Sequence, residues 1–177
     1  MTPASPVARS ARGREVVAAG RRLLEEEGPE ALTMRRLAER VGIRAPSLYK
    51  HLPDKAALEA AIIATGFEEA AAAFEAAVED AGEALPALAA AYRRFALAHP
   101  HLYRLMNNGP LPREHLPPGL EDRTAAPVLR AAGSRARARA VWAFAHGMVL
   151  LELDHRFPAD ADLDAAWQAG IGAFQPG

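Results

Sequence analysis

Along this chain, apolar residues return at the spacing of one helix face in segment after segment. Over residues 12–27, Val16, Ala19, Gly20, Leu23 and Leu24 recur at i, i+3, i+4, i+7 and i+8, which predicts an amphipathic helix stopped by Gly28-Pro29. Thr33 is placed to cap a second helix, in which Met34, Leu37, Ala38 and Val41 repeat the spacing until Gly42 ends it. Pro46, tolerated in a first turn because no amide partner is lost there, opens a third, short helix over 45–52. Leu48 and Leu52 are its narrow inward stripe. Asp54 can cap a fourth, longer helix that carries Leu58, Ala61, Ile62 and Thr65 inward and runs to about residue 80.

Beyond Gly82 the same period predicts helices over 85–98, 101–107, 124–132, 134–155 and 162–174. Residues 108–119, NGPLPREHLPPG, contain four prolines and two glycines and must be a loop. No strand-like alternation persists and no repeat is present. The expected architecture is therefore all-α, with about nine helices. A flexible N-terminal arm (1–11) leads into a three-helix, helix-turn-helix domain (12–56), and the long fourth helix joins this to a C-terminal helical bundle (57–177).

Composition narrows the class. Half of the 177 residues are hydrophobic, which argues against disorder, and the one long uncharged stretch, 141–151, has only 11 residues and is too short to span a bilayer. With no cysteine there is no disulfide framework, thiolate nucleophile or cysteine-ligated metal, and the cytoplasm is the default compartment. The net charge of −1 conceals an asymmetry: residues 1–60 carry +3 and residues 61–177 carry −4, and both lysines, Lys50 and Lys55, lie in the first part.

That asymmetry directs attention to IRAPSLYKHLPDK, residues 43–55. With the two leucines turned inward, Ala45, Ser47, Tyr49, Lys50 and His51 remain on or near the outer surface. These side chains suit a phosphate-lined groove: lysine neutralises phosphate, the hydroxyls donate to phosphate oxygens, and small residues let the backbone approach base edges. Lys55 adds a cation where free helix-start amides already favour an anion, and Arg35 and Arg44 stand where they can clamp the flanking backbone. The same pattern also occurs in helical proteins that bind no DNA, where Tyr49 is a half-buried aromatic and His51 a packed histidine.

ALTMRRLAERVGIRAPSLYKHLPDKAALEAAI (31–62), extended back through AAGRRLLEEEG (18–28), resembles the DNA-binding region of the tetracycline-repressor family of transcriptional regulators. Gly28, Thr33, Ala38, Gly42, Leu48, Tyr49, His51 and Lys55 fall on its motif positions. The resemblance implies that the third helix enters the major groove, bringing Ala45, Pro46, Ser47, Tyr49, Lys50 and His51 to it, while Arg35 and Lys55 grip the backbone. Leu52 departs from the pattern, which more often has phenylalanine after the histidine, and Pro53 follows it; both concern packing.

AVWAFAHGMVLLEL (140–153) is apolar around nearly its whole circumference and must be covered on every side. A symmetric partner would do this readily, and Gly147 would permit close helix approach, so the helices over 134–155 and 162–174 are expected to form a homodimer interface. FALAHPHLYRLM (95–106) with VWAFAHGMVLLEL (141–153) resembles the WHG type of C-terminal domain in a branch of the same family, which implies dimerisation and sensing of a small molecule. Aromatic and methionine residues here read first as core. The pocket alternative is an apolar cavity lined by Phe67, Phe95, Leu102, Met106, Trp142, His146 and Leu150.

His99, His101 and His146 lack the spacing of metal ligands, and Ser134, Asp154 and His155 show no activated nucleophile. No metal, cofactor, catalysis or membrane partner is expected. The reading is a cytoplasmic, dimeric repressor that binds a palindromic operator and is released by a small apolar effector. The alternative is a helical protein-interaction scaffold without DNA binding.

Overall fold

The computed structural model describes residues 10–79 and 81–175, and among these it contains nine α-helices and no strand. They are α1 (Ala11–Glu27), α2 (Met34–Val41), α3 (Ala45–Leu48), α4 (Lys55–Glu79), α5 (Ala84–Ala98), α6 (Pro100–Asn107), α7 (Leu120–Ala132), α8 (Arg135–Leu153) and α9 (Leu163–Gly172). Most of the expected N-terminal arm lies outside the described residues. Its last position, Ala11, begins α1, and the Ser10 hydroxyl just before it accepts from the Gly13 amide at 2.9 Å and caps the helix.

Local chemistry explains most of the boundaries. Thr33, Asp54, Ser134 and Asp162 each accept from the amide three residues on and so start α2, α4, α8 and α9. Gly42 ends α2 in the left-handed conformation at φ 70°, and its amide turns back to the α2 carbonyls.

Two elements differ from the pattern-based expectation. α3 stops at Leu48 instead of continuing to residue 52: the amides of His51 and Leu52 both close on the Leu48 carbonyl, at 2.9 and 3.0 Å, and Pro53 has no amide to offer the Tyr49 carbonyl. α7 begins at Leu120, four residues before the expected start. Leu120 is fully buried, and Glu121 and Asp122 suit a first helical turn; Pro127 lies inside the helix.

The chain divides into two compact units. One runs through Glu68 and includes His99–Leu120; the other comprises Glu69–Ala98 and the residues from Glu121. Within the first unit α6 packs on α1, and the α4 residue Gly66 lies against Leu102 and Met106 of α6. In the first unit, α1 and α2 bury Val16, Leu23, Leu24 and Leu37 together with Leu48, Leu52, Leu58 and Ile62. Glu25 of α1 accepts from the Leu102 amide at 3.0 Å, which satisfies one of the open amides at the start of α6.

In the second unit, Phe74 stacks on Tyr92 and meets Phe95 edge-on, above a core of Ala70, Leu88 and Ala91. Arg130 of α7 grips Glu75 of α4 through both carboxylate oxygens, at 2.6 and 2.7 Å. α9 docks with Gly170 beneath the Phe144 ring, where an added Cβ would fall 2.0 Å from a ring carbon.

Gly42→Ala is expected to lower stability by roughly 1–2 kcal/mol, because the open space around this position leaves only the left-handed backbone penalty. A lowered urea midpoint with unchanged m-value checks this; an unchanged midpoint counts against it.

Candidate nucleic-acid interface

The segment from Arg44 to Lys55 is built from beneath. Leu48 and Leu52 have no exposed surface and anchor it in the core of the first unit. Four residues apart, they fix which way the remaining side chains turn. Arg44, Pro46, Ser47, Tyr49 and Lys50 are exposed, Tyr49 to 50 %, while Ala45 and His51 are half-buried. An exposed tyrosine of this size beside a lysine and a serine is unlike the half-buried packing aromatic that the alternative reading requires.

The flanking cations are displayed on either side. Arg35, in the first turn of α2, has a side chain 85 % exposed and meets Glu39 only at 3.8 Å. Lys55, the first residue of α4, lies 3.4 Å from Glu59. Both pairs are exposed and one turn apart on a helix, so each contributes little and can give way to a phosphate. The other two α2 arginines, Arg36 and Arg40, face α1 and pair with Glu27 and with Glu26 and Glu27 respectively. The apolar spacing of α2 does not reveal this distinction among its arginines, because it depends on where α1 ends.

The residues expected from sequence to line a small-molecule pocket are distributed over both compact units. Phe67, Leu102 and Met106 belong to the first unit, and Phe95, Trp142, His146 and Leu150 to the second. Leu102 and Met106 pack on Gly66, and Phe95 packs on the Phe74 cluster. Trp142 is 51 % exposed on α8, its ring stacked on His146 with centroids 5.9 Å apart. In the single chain α8 buries Val141, Ala145 and Val149 and leaves Trp142 and Leu151 exposed, an uncovered part that the reading from sequence assigns to a symmetric partner. An added Cβ at Gly147 would meet nothing within 4 Å.

A cluster that sequence spacing gives no sign of sits at the junction of α5, α8 and α9. Arg93 donates to Glu152 at 3.0 Å through Nε and to Asp164 at 2.5 Å through Nη1, and Trp167 Nε1 donates to the other Glu152 oxygen at 2.5 Å. The guanidinium lies 5.7 Å from the centre of the Trp167 ring. Burial opposes the Arg93 charge, yet the hydrogen bonds it donates to Asp164 and Glu152 hold its pKa above the usual range. Glu152 is only 6 % exposed at its side chain, and paired in this way it fixes three helices in one arrangement. Among the described residues no three acidic or histidine side chains are grouped to hold a metal ion, and no helix is long and apolar enough to cross a membrane.

Comparison with known proteins accords with this geometry. Residues 16–62 match the family described as bacterial regulatory proteins, tetR family, and residues 85–174 match that described as tetracyclin repressor-like, C-terminal domain. An HTH-type transcriptional regulator of Mycobacterium bovis is 26% identical over 125 residues, covering 68% of this chain and 52% of that protein. The chain thus spans about half the length of the curated relatives it matches. Among solved structures, a protein with unknown function from Rhodococcus sp. RHA1 superposes with a TM-score of 0.73 at 28% identity, over 91% of this chain and 92% of that one. A TetR variant from Acinetobacter baumannii AYE, in complex with minocycline, does so with a TM-score of 0.63 at 26% identity, over 90% and 91%.

Burial lowers the His146 pKa below its ordinary value of about 6.5. In the window between the folded and unfolded values the unfolded chain binds more protons, so stability rises with pH there and is lost as pH falls below about 6.5. The drop in thermal midpoint between pH 7.5 and 5.5 is expected to be larger in the unmodified chain than in His146→Gln; equal drops would remove His146 as the cause.

Proposed function

The chain belongs to the tetracycline-repressor family of transcriptional regulators, and on that premise we propose that it acts in the cytoplasm as a dimeric repressor, binding a palindromic operator and released by a small, mainly apolar effector. The observation that carries the DNA-binding part is the exposed row of Ser47, Tyr49 and Lys50 held over the fully buried Leu48 and Leu52. In this reading Ala45, Pro46, Ser47, Tyr49, Lys50 and His51 meet the major groove. Arg35, Arg44 and Lys55 hold the phosphates on either side.

Dimerisation is supported by the outward face of α8, with Trp142, Ala143 and Leu151, and by the small exposed residues Ala165, Ala169 and Ala173 of α9 and the turn after it. A second copy covering both helices would bury the tryptophan and let a helix approach at Gly147. Two reading segments spaced about one helical turn apart would then match an inverted repeat.

Release by an effector is supported by the minocycline complex of the Acinetobacter relative and by the resemblance of residues 95–106 and 141–153 to a WHG-type sensing domain. The continuous α4, which contributes to both compact units, is the route by which a change in the second would alter the spacing of the reading segments. A coupling of ~1–3 kcal/mol suffices, since it changes operator affinity about 5- to 150-fold.

A mobility-shift titration against the promoter region upstream of the chain's own coding sequence tests the reading. With about eight phosphates neutralised per dimer, log affinity falls against log salt with a slope near −7; a flat response would instead favour a scaffold that does not bind DNA. Lys55→Ala is expected to weaken all duplexes alike, whereas Ser47→Ala or Lys50→Ala changes which operator is preferred; equal losses on every sequence would overturn this division of roles. Trp142→Asp with Leu151→Asp is expected to give a folded monomer by analytical ultracentrifugation, and a dimer persisting in that variant would exclude the α8 face.

A further inference from the structure

Three consecutive glutamates end α1, and each is engaged. Glu25 accepts from the start of α6, Glu26 holds Arg40, and Glu27 holds Arg36 while also accepting from Arg40 at 3.2 Å. The helical period explains the choice of arginines: Arg36 and Arg40 stand about 40° apart around α2, on the flank beside α1, whereas Arg35 is turned about 100° from Arg36 and points away. The hydrogen bond to Glu27, followed by the charge of that carboxylate, raises the Arg36 pKa further above its already high ordinary value. Two of the three cations on the helix next to the reading segment are therefore bound within the protein.

An isolated exposed pair would yield to a phosphate at little cost. Here Glu27 is shared by both arginines and Glu26 takes Arg40 as well, so both guanidiniums would have to be released from one network. If freed, each could add a sequence-independent phosphate contact, and such contacts strengthen binding to operator and bulk DNA alike. An effector coupling of ~1–3 kcal/mol lowers affinity only about 5- to 150-fold, so gains on the order of tenfold from each freed cation would leave the liganded protein still on its operator.

We propose that Glu26 and Glu27 are positioning residues that limit sequence-independent DNA affinity, holding Arg36 and Arg40 against α1 so that an effector can still release the protein. The inference rests on the DNA-binding reading above.

The test uses the full chain and fluorescence anisotropy on two duplexes, one carrying the bound promoter fragment and one of scrambled sequence. Glu26→Gln with Glu27→Gln is expected to tighten both duplexes, on the order of tenfold for each arginine that reaches a phosphate, and to steepen the salt slope by ~0.9 for each of them. Glu30→Gln with Glu68→Gln makes the same charge change at two exposed positions and should leave the slope unaltered; an equal steepening there would reduce the effect to net charge and overturn the proposal. So would an unchanged slope in the Glu26/Glu27 variant.

Should that variant lose its helical circular dichroism, Arg36→Gln with Arg40→Gln provides the second measurement. An unchanged slope supports the proposal, because these cations then make no phosphate contact in the unmodified chain, and a shallower slope refutes it. Failure of the unmodified chain to bind either duplex would refute the DNA-binding reading itself, whereas binding with none of the expected differences would refute only this inference.

Discussion

Burial of Leu48 and Leu52 beneath a segment of about ten residues is the constraint on which the candidate interface depends. α3 has a single hydrogen-bonded helical turn, far too short to hold its own shape in water, so its orientation comes from those two side chains entering the core that α1, α2 and α4 form. Removing both from water is favourable by a few kcal/mol, and it is this burial that turns Ser47, Tyr49 and Lys50 outward. The turn on either side adds direction without adding much energy. Gly42 reverses the chain into the segment, and Pro53 with Asp54 ends it and begins α4.

The same unit shows how charge is used to select among chemically identical side chains. Three arginines on α2 look alike in the sequence, yet the acidic end of α1 engages two of them and leaves the third exposed. Glu25, one residue earlier in that run, instead accepts from the first turn of α6, which helps explain why α6 belongs to the unit that carries the reading segment. A short acidic run thus fixes α2 on one side and α6 on the other.

In the second unit the comparable role falls to Arg93. Its guanidinium joins α8 and α9 through Glu152 and Asp164 and lies over Trp167, and the Gly170 contact with Phe144 brings α9 close against α8. With α8 held along the stripe of Val141, Ala145 and Val149, Trp142 and Leu151 are left exposed on the rest of its circumference. The helix that is apolar all round in sequence is therefore half-covered in the chain, which gives the dimer proposal its surface.

The helices, most of their caps and the outward chemistry of residues 43–55 could be read from the order of residues, because they depend on contacts within one or two turns: the 3.6-residue period, Thr33 and Asp54 at helix starts, Gly42 at a reversal, Leu48 and Leu52 four apart. The short α3 and the early start of α7 were less legible, since the first turns on Pro53 and the carbonyls before it and the second on the burial of Leu120, which no local period encodes. What only the tertiary structure decided are the pairings between distant positions: Glu26 and Glu27 with the α2 arginines, Glu25 with the Leu102 amide, and Arg93 with Glu152 and Asp164. The last two close separations of 59 to 77 residues. No local periodicity encodes such a pairing, because it exists only once whole helices have packed and brought charges that are far apart along the chain to within a hydrogen bond.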